Sequence, residues 1–202
     1  MLEKIQSVSH SYSYTEYKNI VLEYASQGKT SGNQLDERIA ATLINAQRIK
    51  RIDKQCEIIE ELKTLVNQIT NKTSWLVLVE SWCGDGAQCI PVIAKIAEQN
   101  PNIELRFIFR DENLDVMDSF LTNGSRSIPK LICTDKQTEN IMGIWGPRPK
   151  AIQAMVTQFK MEYPDASHDE LVKNIHLWYA KDKTLSIQLE FVDLLTTFNF
   201  NR

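Results

Sequence analysis

Through the first third of the chain apolar residues recur every three or four positions, the period of a helix with one buried face. Helices are expected over residues 14–27, 33–55 and 57–69. Leu35, Ile39, Leu43 and Ala46 form the inward stripe of the second, and Gly28 and Gly32 mark the break before it. From Trp75 the period changes. Short apolar runs predict strands over 75–80, 103–109, 130–134 and 141–145, with helical stretches over 86–99, 114–121 and 150–163. Strands alternating with helices need crossover connections, so the expected core is α/β, a central mixed sheet flanked by helices. Pro164 ends the last of these helices and Ser167 caps a new one carrying Leu171, Ile175 and Trp178. A final amphipathic helix over 184–198 sets Leu185, Leu189, Val192 and Leu195 on one face. No repeat, low-complexity tract or Gly/Ser linker interrupts the chain. It divides into a helical N-terminal extension (1–70), a central α/β domain (71–163) and a helical C-terminal extension (164–202) packed on that domain.

Composition supports a globular protein, since 43% of 202 residues are hydrophobic. A net charge of -3 spread along the chain lacks the concentrated basic face that a nucleic acid or an anionic membrane would need, so neither is an expected partner. The basic cluster Arg48, Lys50, Arg51 and Lys54 reads as the solvated side of its helix. No segment approaches the roughly 18 apolar residues of a membrane span. Residues 1–13 lack the apolar stretch of a secretory leader, so a cytoplasmic location is expected. In that setting the four cysteines, Cys56, Cys83, Cys89 and Cys133, are reduced or catalytic thiols rather than a disulfide framework. His10, His168 and His176 share no metal-ligand spacing with them, so no metal and no bound cofactor are expected.

The chemistry concentrates where an apolar strand runs into Trp82-Cys83-Gly84 and opens a helix. Unpaired amides and the positive end of the helix dipole favour an anion there, so Cys83 is expected to hold more thiolate than a free thiol. The plainer alternative is a small residue at a strand end. Trp82 serves either as an apolar platform for a partner or as core packing, and Gly84 permits the tight turn and close approach of another backbone. Glu80 and Asp85 are the nearest candidates for general acid or base, although a carboxylate beside the sulfur also raises the thiol pKa. An acid in the first turn favours the helix by itself, which is the other account of Asp85. Cys89 is a possible resolving thiol, but six helical residues carry it about 9 Å along the axis. A disulfide spans Cα separations of only about 7 Å, so that bridge requires the first turn to unwind. Otherwise Cys89, like Cys56 and Cys133, is a buried small hydrophobe.

The strand-Trp82-Cys83-Gly84 element, with Ser127-Ile128-Pro129-Lys130 opening a later strand, resembles the thioredoxin family over residues 73–163. The resemblance implies a thioredoxin-like fold with Cys83 as nucleophile. It also implies a cis Pro129 against that cysteine, with the Ile128 backbone offered to an extended substrate. Taken alone, Pro129 is a turn residue opening a strand. Two departures bear on mechanism: Gly86 stands where the family has its second cysteine, and Val77 where it has a buried acid. The Cys-Gly-Asp-Gly turn is closer in logic to the monothiol glutaredoxins, in which glutathione resolves the mixed disulfide. In such a fold the segment 143–149 lies near the cysteine, so Trp145 lines the groove and Arg148 pairs with a carboxylate. The alternative there is a turn in which Pro149 starts a helix and Arg148 is solvated. Two functions follow. One is a monothiol oxidoreductase acting on a protein or small-molecule disulfide with an external thiol reductant; the other is a thioredoxin-like module that binds an extended peptide beside Pro129 without turnover. The oligomeric state is left open by the sequence.

Overall fold

A computed structural model describes residues 2–6 and 8–198; residues 1, 7 and 199–202 of the expected extensions lie outside them. The chain opens with α1 (Leu2–Gln6), α2 (Tyr14–Ser26), α3 (Asp36–Gln55) and α4 (Glu60–Asn67). Then come β1 (Thr73–Val79), α5 (Gly84–Ala97), β2 (Ile103–Phe109), a single 3₁₀ turn (Arg110–Glu112) and α6 (Leu114–Met117). After them follow β3 (Lys130–Asp135), β4 (Ile141–Trp145), α7 (Lys150–Glu162), α8 (His168–Asp182) and α9 (Leu185–Thr196).

The strands form one mixed sheet in the order β2-β1-β3-β4. β1 and β2 are parallel, and α5 supplies the crossover that a parallel pair requires. β1 with β3, and β3 with β4, are antiparallel. β1 is buried almost end to end, as its unbroken apolar run demands of a central strand covered on both faces. The open side of β2 is blunted by the N-terminal segment: Tyr12 bridges to Phe107, and Tyr17 of α2 stacks on the Phe107 ring at 5.1 Å. Among the described residues no helix is long and apolar enough to cross a membrane.

Two helical faces differ from expectation. α3 turns Leu35 and Leu43 outward and buries Thr42, Asn45, Ala46, Ile49 and Ile52. The polar pair goes inward because partners wait there: Asn45 Nδ2 donates to the Ser81 carbonyl at 2.9 Å, and the Thr42 hydroxyl lies 3.1 Å from that of Ser81. α9 leaves Leu185 and Leu189 exposed and buries Ile187, Phe191 and Leu195. Phe191 settles the choice by fitting between Trp75 and Trp145, each at 5.7 Å. α6 is also shorter than expected, ending at Met117.

Candidate active site at the start of α5

Cys83 is the N-cap of α5, with extended backbone at φ -71°, ψ 111°. Its sulfur does the capping, accepting from the Gly86 amide at 3.2 Å. The thiol in turn donates to the Ile128 carbonyl at 3.3 Å. The Ile128–Pro129 bond is cis, as the resemblance implied. A second cis bond, Gly146–Pro147, lies in the β4–α7 loop, which packs against Pro129; sequence reading did not anticipate it. Gly146 sits at φ +111°, and a Cβ there would lie 2.2 Å from the Pro129 carbonyl oxygen, so only glycine permits this closeness.

Gly86 is equally constrained. A Cβ on it would meet Val79 Cγ2 at 2.8 Å and the Cys83 sulfur at 3.4 Å, so the place of a second cysteine has no room for a side chain. Cys89 does not replace it. All four cysteines are buried and free, and the Cys89 sulfur lies beneath Tyr179, 3.7 Å from its hydroxyl.

Asp85 is the centre of a buried ionic cluster. Arg148 Nη2 reaches one carboxylate oxygen at 2.5 Å, and the Tyr179 hydroxyl donates to the other at 2.7 Å. Arg148 is thus the carboxylate partner rather than a solvated residue. Burial is the foremost influence on Asp85 and raises its pKa despite Arg148, Tyr179 and Arg48. The expected electropositive thiol is not found. Burial first, and the Asp85 charge second, push Cys83 up to about 12, outweighing the Gly86 amide and Arg148. The helix start favours an anion, but Cys83 is only 6% exposed and a thiolate there gives up its water.

Glu80 is 1% exposed and committed elsewhere. One of its oxygens takes the Ser31 hydroxyl, and the other takes the Asp111 amide at 2.8 Å. In this geometry it ties the turn to two neighbouring loops. Trp82 flanks the cysteine half-buried, its ring in contact with the guanidinium groups of Arg38 at 4.3 Å and Arg110 at 5.1 Å. Trp145 does not line an open groove: its ring packs on Phe191, and Nε1 donates to Glu190 at 2.8 Å. Above Gly84 lie Arg48 Nη1 and His176 Cε1, 3.7 and 3.9 Å from the position of a Cβ. Arg48 also contacts His176 Nε2 at 2.7 Å, so it is not the solvated residue expected of the basic cluster.

α8 therefore roofs the first turn of α5, which sequence reading missed. The signal was the spacing Leu171, Ile175, Tyr179, which marks Tyr179 as inward-facing.

Residues 32–160 match a family model described as thioredoxin, a span that includes α3 and α4 and stops short of α8. No curated protein sequence matches the chain. Two solved structures share the fold. A protein of unknown function from Pseudomonas aeruginosa has 19% identity and a TM-score of 0.57, the alignment covering 92% of this chain and 98% of that one. An HIV epitope scaffold has 20% identity and a TM-score of 0.53, covering 92% and 97%. At these identities the likeness is one of fold.

Proposed function

The chain belongs to the thioredoxin family, and from that premise we propose that it carries out thiol-disulfide exchange with a single working cysteine, Cys83. One observation carries this reading: the Cys83 sulfur is held at a helix N-terminus between the Gly86 amide and the carbonyl before a cis-proline. There the Ile128 and Pro129 backbone can receive an extended chain with its disulfide against the sulfur.

In the step proposed, the Cys83 thiolate attacks one sulfur of a protein or small-molecule disulfide. The substrate S–S bond breaks, a mixed disulfide forms on Cys83, and the departing thiolate takes a proton from water. The thiolate of an external thiol then attacks the substrate sulfur of the mixed disulfide, so that it leaves joined to the substrate half and Cys83 is regenerated; where it attacks the Cys83 sulfur instead, the substrate half leaves reduced and a second external thiolate frees Cys83 by forming the disulfide of the two external thiols. Gly86 supports the monothiol form, since its site has no room for a resolving side chain. The reducing cytoplasm, rich in small thiols, suits this cycle.

A second reading, a peptide-binding module without turnover, is favoured by one specific observation: the thiol is buried and held protonated. Trapping separates the two. The reduced protein is mixed with a peptide carrying a disulfide-linked reporter, and adducts are read by mass spectrometry. The exchange reading expects reporter release and an adduct on Cys83 that Cys83→Ser abolishes. No adduct and no release with any of several thiol donors, together with equal peptide binding by wild type and Cys83→Ser, establishes the binding module instead.

A further inference from the structure

We propose that α8 is a hinged cover which must swing off the first turn of α5 before Cys83 can meet a disulfide. This rests on Cys83 being the exchange nucleophile and concerns the regulation of that site. The helix is built to move as a unit. Ser167 and Glu170 close a capping box at its N-terminus, so its first turn is satisfied without the domain. Of its fifteen residues Tyr179 is the one buried, with Leu171, Ile175 and Trp178 only partly so.

Its hold on the active-site turn is polar and local. Tyr179 donates to Asp85 at 2.7 Å, and His176 meets Arg48 at 2.7 Å beside Gly84. At its C-terminal end two consecutive non-glycine residues, Lys183 at φ +50° and Thr184 at φ +70°, form the joint to α9. Left-handed backbone at two such residues persists only while the surroundings enforce it, so the joint is a natural place for rotation. α9 is fixed beyond it, through Phe191 in the core and Gln188 bonded to the Ile59 amide at 2.9 Å. Swinging α8 away lifts Tyr179 from Asp85 and His176 from Gly84. Water then reaches the face of α5 that presents the sulfur, and the burial that keeps the thiol protonated is relieved.

The test is the alkylation rate of each cysteine in the reduced full chain, at one fixed pH, read by mass spectrometry, with Cys133 on β3 as the reporter of global opening. Tyr179→Phe keeps the ring and removes a hydrogen bond to a charged acceptor, so the Cys83 rate is expected to rise about tenfold while Cys133 stays protected. Lys183→Gly removes the cost of holding a side-chain-bearing residue at φ +50°, so it favours the closed joint without touching the site; it is expected to lower the Cys83 rate and stands in if Tyr179→Phe folds poorly. Unchanged Cys83 rates in the folded variants overturn the cover, as does a Cys83 rate no faster than that of Cys133. The reagent needs no disulfide, so the two readings fail separately. Faster alkylation without exchange overturns the exchange function alone; working exchange with unchanged alkylation overturns the cover alone.

Discussion

Helices α8 and α9 follow one another in the chain, are of similar length and are both amphipathic, yet the molecule uses them in opposite ways. α9 buries Ile187, Gln188, Phe191 and Leu195, and its Glu190 accepts from both the Trp145 indole and the Lys150 amide. α8 buries Tyr179 alone and reaches the domain through hydrogen bonds and half-covered apolar residues. Apolar burial is lost only when the core opens, whereas a polar contact can be exchanged for water at small net cost once water reaches it. One helix therefore completes the fold, and the other sits over its reactive turn on terms that allow it to leave.

The sharpest way to break that contrast is to remove the core anchor of α9. Phe191→Ala leaves a cavity between Trp75 and Trp145 and is expected to cost about 3–5 kcal/mol in urea unfolding. A loss under about 1 kcal/mol would place α9 in the same class as α8 and sink the comparison. A gentler lever is Gly143→Ala on β4. Its Cβ would stand 2.6 Å from Leu194 Cδ1 and 3.0 Å from Phe198 Cε1, so those side chains must give way. Overpacking there is expected to cost about 1–3 kcal/mol, with Cys83 alkylation unchanged if the two helices are held independently. Smaller still is Tyr179→Phe, for which a stability loss of about 1.5 kcal/mol is expected beside the large change in Cys83 reactivity. A Cys83 rate no faster than that of Cys133 in either protein would mean that α8 opens only when everything opens.

Much of the frame is legible in the amino-acid sequence. An apolar run into Trp-Cys-Gly and a proline ahead of a second apolar run place β1, α5 and β3, and the cis Pro129 follows from their resemblance to the thioredoxin family. What the sequence left hidden was which side of a two-sided helix goes inward. α9 carries Leu185, Leu189 and Val192 on one face and Ile187 and Phe191 on another, and only the slot between two tryptophans decides. On α3 a hydropathy pattern is misleading because Thr42 and Asn45 are buried to satisfy Ser81. The state of Cys83 was misjudged for a related reason. The helix N-terminus is a local feature and visible in the sequence, whereas the loss of water depends on the folded surroundings, which bring the Ile128 carbonyl against the sulfur from far along the chain.

One further effect, a dependence on pH, belongs to α8 alone. Arginine can only donate, so His176 Nε2 must be the acceptor of the Arg48 contact and the ring is neutral when α8 is closed. Burial first, and the Arg48 charge second, lower the His176 pKa to about 4. With α8 away from the domain the ring returns to about 6.5, so as the pH falls through that value the open form takes up a proton that the closed form refuses. The closed state therefore loses stability between about 6.5 and 4. Other groups meet here: Arg48 from α3, Asp85 from α5, and Asp169 and Lys173 on α8 itself. Asp85 has a raised pKa and works in the opposite sense, binding its proton more readily when buried, so wild type by itself gives a mixed signal. His176→Gln resolves it, because a glutamine oxygen still accepts from Arg48 and does not titrate. Amide exchange of α8, corrected for the intrinsic rate and divided by that of His176→Gln at each pH, is expected to climb as the pH drops from about 6.5 to 4 while α9 shows no such trend. A flat ratio across that window would remove the histidine from the hold that α8 has on the site, leaving Tyr179 and Asp85 as its polar clasp.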